Sequence, residues 1–258
     1  MLLKVDSKGN IKWRKTYGGP SFDKALSLQE MADGGYVLGG YTYSFGPAYV
    51  NAWLIKTDSD GNEEWNRTYG ISGINEAHSL LVTDDGGYIL AGETPVEDHL
   101  NAWIIKTDSR GIETWNKTFK DRVEYSYSTA NAVQRTDDGG YILAGYQVNS
   151  DDDFLLIKID SDGGEEWTKA YGDPKQDEEA FAVLQTSDGG YLIAGNKGIS
   201  PDSDGWVVKV DPNGREEWNK TLGDQEDAGI GSIQETSDGG FIMAGKKEHG
   251  AWLLKLKG

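Results

Sequence analysis

Few side chains in this sequence have chemistry to offer, and the first question is whether any of them stand together. Three histidines, His78, His99 and His249, are widely separated. No His-Glu-x-x-His, Gly-x-Ser-x-Gly, phosphate-loop or paired zinc-ligand spacing occurs, which excludes a preassembled metalloprotease helix or nucleophile elbow. Cysteine is absent, so disulfides, thiolate nucleophiles and Cys-ligated metal centres are excluded too. Glu76 and Glu179 are candidates for carboxyl chemistry on a glycosidic bond, which needs two carboxyls roughly 5 to 10 Å apart in unlike environments. The Asp-Ser-Asp-Gly stretches at 58–61 and 160–163 suggest calcium, but they lack the further oxygen ligands and terminal Glu of an EF-hand. They are expected to be turns in which Asp bonds its own backbone and Gly takes positive φ. No metal and no cofactor is expected.

The elements that must position these groups follow from an internal repeat. Asp-Gly-Gly-aromatic recurs at Asp33, Asp85, Asp138, Asp188 and Asp238, with spacings of 52, 53, 50 and 50. A second series, Trp13, Trp65, Trp115, Trp167 and Trp218, keeps the same period, each Trp following a Lys-x-Asp-x-x-Gly segment. Each unit reads as four short strands. The first, such as Ala77 to Thr83, ends at the Asp-Gly hairpin signal. The second and third, such as Tyr88 to Ala91 and Trp53 to Ile55, are apolar on both faces and therefore covered on both sides. The fourth alternates, Trp65, Arg67 and Tyr69 against Asn66 and Thr68, as an outer strand half open to water does.

Five such units predict an all-β, five-bladed β-propeller with four antiparallel strands per blade, a single domain over 1–258 with repeats near 1–51, 52–101, 102–152, 153–204 and 205–250. The ends carry one strand too many, since Leu2 to Val5 and Trp252 to Lys255 both match the third type. The expected closure places 251–257 third in the last blade and Ile11 to Tyr17 outside it. The surplus duplicate would fray or add to another chain, a route to an oligomer. In this reading the five repeated tryptophans and the five Asp-Gly-Gly aspartates are structural.

Residues such as Ala52 to Gly70 followed by Asp84 to Gly92 resemble the propeller repeats of many archaeal and bacterial surface or secreted proteins. That resemblance implies an extracellular or cell-surface location. The Asp-x-x-Gly-x-x-x-Trp core is similar to the tryptophan-docking motif of quinone-dependent dehydrogenase propellers.

Within a blade the Asp-Gly-Gly and Asp-x-x-Gly turns share one edge and repeat nearly unchanged. The opposite edge carries connections that differ in every unit, among them 18–24, 41–51, 93–101, 120–129, 146–153 and 172–179. Those connections hold the candidate ligand-binding residues: Tyr43, Tyr49, Tyr125 and Tyr127 as aromatic anchors, with Glu76, His78, Asn131 and Glu179 beside them. His78 falls where the other units have Leu26, Asn131, Phe181 and Gly231. Three Asn-x-Thr sequons at Asn66, Asn116 and Asn219 recur at one outer-strand position and are what repeat copying would produce. With 25 Lys and Arg against 43 Asp and Glu, the formal charge of −18 disfavours nucleic acid and anionic membranes as partners. No apolar run approaches 18 residues, so membrane insertion is not expected. The reading is a non-enzymatic binding or scaffold propeller facing a protein or carbohydrate, with a lectin or glycoside hydrolase as the alternative.

Overall fold

The computed structural model describes residues 1–97, 99–119, 127–148, 152–174, 176–198, 201–223, 227–248 and 250–257. It is all-β, with no helix among those residues. Internal contacts divide the chain into two compact units, Met1–Phe119 and Lys120–Gly258.

The first unit begins with a two-stranded sheet, β1 (Leu2–Val5) and β2 (Ile11–Lys15). Two four-stranded antiparallel meanders follow: β3 (Asp23–Glu30), β4 (Tyr36–Thr42), β5 (Asn51–Thr57) and β6 (Glu63–Tyr69), then β7 (Glu76–Val82), β8 (Tyr88–Val96), β9 (His99–Thr107) and β10 (Glu113–Phe119). The second unit holds two more, β11 (Tyr127–Arg135) to β14 (Glu165–Tyr171) by way of β12 (Tyr141–Val148) and β13 (Asp152–Ile159), and β15 (Glu178–Gln185) to β18 (Glu216–Leu222) by way of β16 (Tyr191–Lys197) and β17 (Asp204–Val210). It ends with a three-stranded sheet, β19 (Ala228–Glu235), β20 (Phe241–Lys247) and β21 (Gly250–Leu256).

The two-sided apolar strands are sandwiched as their sequences require. In β5, Ala52 and Leu54 pack with Tyr88 and Leu90 of the following sheet, while Trp53 and Ile55 pack with Leu2 of the preceding one. In β16, Ile193 joins Leu156 on one side, and Leu192 and Ala194 join Ile230 and Met243 on the other. Alternation of side chains across a strand thus feeds two cores at once.

The terminal strands depart from the expected closure. Both duplicates of the third type are strands, but β2 pairs with β1 through Leu2↔Lys15 and Lys4↔Trp13 and does not supply the outer strand of the last sheet. The five-residue connection from β1 to β2 contains its own hairpin signal: Asp6 Oδ1 accepts from the Lys8 and Asn10 amides. A local hairpin closes with less chain entropy than a pairing across the whole sequence.

Three of the repeated tryptophans, Trp13, Trp65 and Trp167, dock between successive sheets. Trp65 on β6 lies over the β9–β10 turn, where a Cβ added to Gly111 would meet its ring at 2.8 Å, and meets Tyr88 edge-on at 5.8 Å. Tyr69 Oη donates to Gly111 O at 2.9 Å beside it. Trp13 repeats this on Gly61 and Tyr36, and Trp167 on Gly214 and Tyr191. The docked glycines sit near φ +72°, so they serve both the turn and the indole above it.

The sequon asparagines are part of this framework. Asn66 Oδ1 accepts from the Trp53 indole N–H at 3.2 Å, and its amide donates to Glu63. Asn116 and Asn219 do the same with Trp103 and Trp206. Where the indole is absent the asparagine is too: Leu155 stands at the Trp53 position, and Thr168 stands at the position of Asn66.

Candidate functional site

At the edge of the Asp-Gly-Gly turns, the aspartates close a repeated ion network. Lys158 on β13, 2% exposed, reaches Asp138 at 2.8 Å and Glu166 at 3.2 Å. Lys209 takes Asp188 and Glu217, Lys56 takes Asp33 and Glu64, and Lys106 takes Asp85. The Asp85 carboxyl is held down at about 2, by the Lys106 bond first and Thr83 next. The lysines that these aspartates hold were not sequence candidates. The Asp-Ser-Asp-Gly stretches are turns, Asp58 Oδ1 accepting from the Asp60 and Asn62 amides.

The opposite edge is built differently in each sheet, and the pleat explains how. Every first-type strand carries a β-bulge: the register skips one residue at Leu26, His78, Asn131, Phe181 and Gly231. A bulge frees one side chain from the ladder and re-aims it. The second strand accepts the bulge with a glycine, Gly40, Gly92, Gly145, Gly195 or Gly245, where a Cβ would sit 1.8–2.0 Å from a carbonyl oxygen of the bulged strand. Beside each glycine stands a cross-strand pair, Lys24↔Tyr41, Glu76↔Glu93, Thr129↔Tyr146, Glu179↔Asn196 and Gly229↔Lys246. The variable position seen in sequence is therefore the bulge, and the variable pair flanks it.

In the first unit this brings Glu76, His78 and Glu93 together, with one ligating atom from each lying within 4.8 Å of the others. His78 Nε2 is 3.9 Å from Glu93 Oε2. Burial raises the Glu76 carboxyl above its ordinary value, with His78 opposing and Glu93 adding to the rise. Lys24 of the preceding sheet also favours the ionised Glu76 while lying 5.9 Å from the centre of the Tyr41 ring. Tyr43 and Tyr49 meet edge-on at 5.4 Å and Phe22 joins Tyr43 at 6.1 Å, with Phe22 62% and Tyr49 71% exposed. Glu93 was not a sequence candidate. Its signal is position, directly after the repeated glycine of the second strand.

In the second unit Glu179 lines a cavity of about 220 Å³ with Asp152, Asp177, Asn196, Ser203 and Lys246. Burial, then Asp177, raises its carboxyl. Asn131 is committed to structure, its amide donating to Ala180 O at 2.8 Å across to β15. Tyr127 stacks obliquely with Tyr146 at 5.6 Å. Tyr125 and His249 lie outside the described residues.

Glu178, next to the pocket residue Glu179, is fully buried, and burial raises its carboxyl to about 7. Lys197 stands 3.7 Å from Oε1, whereas Asp153 and Asp173 add negative charge. Because the folded value exceeds the unfolded 4.5, the folded chain holds a proton that the unfolded chain releases between those values. Stability from this group is complete below about 4.5 and declines as pH rises toward 7. Urea titrations across that window should show a smaller decline for Glu178→Gln than for the parent; parallel curves would refute the neutral carboxyl.

No protein-family model matches the chain, and no curated protein matches it. Solved structures do. A protein of unknown function from Dyadobacter fermentans is 14% identical with a TM-score of 0.64, the match covering 93% of this chain and 80% of that one. A protein of unknown function from Bacteroides caccae is 13% identical with a TM-score of 0.60, covering 97% and 83%. The periplasmic gluconolactonase of Pseudomonas aeruginosa is 12% identical with a TM-score of 0.61, covering 95% and 71%. These likenesses identify the fold as propeller-like, built of blade-like antiparallel sheets.

Proposed function

We propose that this chain is a five-bladed, non-enzymatic binding module of a cell-surface or secreted protein, taking a protein or carbohydrate on the edge that carries the bulges. The observation that supports it most directly is the division of labour between edges. One edge repeats the same Asp–Lys network and indole docking, while the other presents a different bulge residue and cross-strand pair in each sheet. Its exposed Phe22, Tyr43 and Tyr49 cluster supplies apolar anchors of the kind that stack on sugars or seat in a protein pocket.

The test is a glycan array followed by titration of the best ligand against Tyr43→Ala and Tyr49→Ala chains. Saturable binding that both substitutions weaken is the expected result. Binding that survives both would remove the aromatic edge from the reading.

A second reading, a carbohydrate-active enzyme, draws on the Glu76 and Glu93 carboxyls, whose spacing within 4.8 Å is close to the roughly 5 Å of a retaining pair. Hydrolysis of a polysaccharide panel that disappears in Glu93→Gln would favour it.

A further inference from the structure

We propose that Glu76, His78 and Glu93 form a binding site for one divalent transition-metal cation of the zinc class. This goes beyond the reading above and does not depend on what the loops bind. It also departs from the sequence expectation of no metal, because neither the bulge nor the cross-strand register is visible in the sequence.

The arrangement of the two carboxylates is unfavourable by itself. Glu76 and Glu93 are directly opposed on β7 and β8, and like charges facing across a ladder repel. Their sister pairs in the other sheets contain no second case of two acids. The bulge then turns an imidazole toward the pair, with its Nε2 atom buried and without a hydrogen-bond partner. A cation with bonds of about 2.1 Å seats its ligands roughly 3 to 4 Å apart, so small carboxylate rotations would close the observed spacing. One nitrogen and two carboxylates suit zinc-class ions, whereas calcium and magnesium take all-oxygen shells. Gly92 is what lets the three meet: a Cβ there would lie 1.8 Å from the Glu76 carbonyl oxygen and push β7 away. Lys24, the cation of the neighbouring sheet that acts on Glu76, is the charge that metal binding must overcome.

The sister repeats supply substitutions that the scaffold already carries at these positions: His78→Asn, as at position 131, and Glu93→Asn, as at position 196. Zinc chloride is titrated calorimetrically into the whole chain after chelator treatment, with calcium chloride as comparator. The parent should bind one zinc per chain, and each variant should lose on the order of tenfold or more in affinity. Thermal unfolding without metal should place both variants near the parent, which separates lost binding from lost fold. Cobalt substitution gives an independent readout, a visible absorption band in the parent that is missing in His78→Asn. Zinc uptake unchanged by His78→Asn, or calcium bound as tightly as zinc, would overturn the proposal, since both would mean diffuse attraction to an acidic surface. A flat glycan array would leave it standing.

Discussion

Trp65→Ala should destabilise the first unit by about 3 kcal/mol or more, the range of large aromatic deletions from packed sites. The indole fills the space above Gly111, stacks edge-on against Tyr88 and is covered by the Arg67 guanidinium at 5.4 Å. Truncation leaves a void bounded by a turn glycine that has no side chain to move into it. It also uncovers the Tyr69 hydroxyl bond to Gly111 O. Chemical denaturation monitored by far-ultraviolet circular dichroism measures the loss. A change below about 1 kcal/mol would mean that the indole is a surface platform, and the docking role would fail for the series.

The second large effect concerns a charge. Removing both carboxylates around Lys158, with Asp138→Asn and Glu166→Gln, should cost about 3 to 5 kcal/mol, because an ammonium that is 2% exposed is left without counter-charge. Among the described residues, the Ile159 carbonyl at 3.1 Å is the acceptor that would remain. Lys158→Met should cost far less, since Asp138 and Glu166 are 55% and 44% exposed and hydrate once released. This asymmetry distinguishes a buried cation from an ordinary surface pair, for which all three changes would be small. A pH series adds a check. Burial alone would raise Asp138, but the bonds from Lys158 and then Thr136 bring it to about 2. Because that lies below the ordinary 3.8, the contribution is present above 3.8 and is lost as pH falls toward 2, and the double variant should show no such loss.

The repeated features were legible because each is a local requirement. Asp-Gly-Gly specifies a hairpin within five residues, the two-sided apolar runs specify strands covered on both faces, and the Trp series marks one place per unit where a neighbour must be met. The sequence therefore determined the all-β class, the strand types and the edge with freedom to vary. It also placed Glu76, His78 and Glu179 on that edge. Three things were decided only by tertiary structure. The pairing of β2 with β1 is a competition between a local hairpin and a distant sheet, and residue types do not rank those partners. Lys56, Lys158 and Lys209 look like surface lysines in sequence, and only sheet packing buries their stems beneath the acids that hold them. The meeting of His78 with Glu76 and Glu93 needs both the register across β7 and β8 and a bulge that shifts the side-chain phase by one. A period-two pattern fixes which face a residue takes only where the ladder is unbroken, so at a bulge the direction of the side chain is a property of the folded sheet.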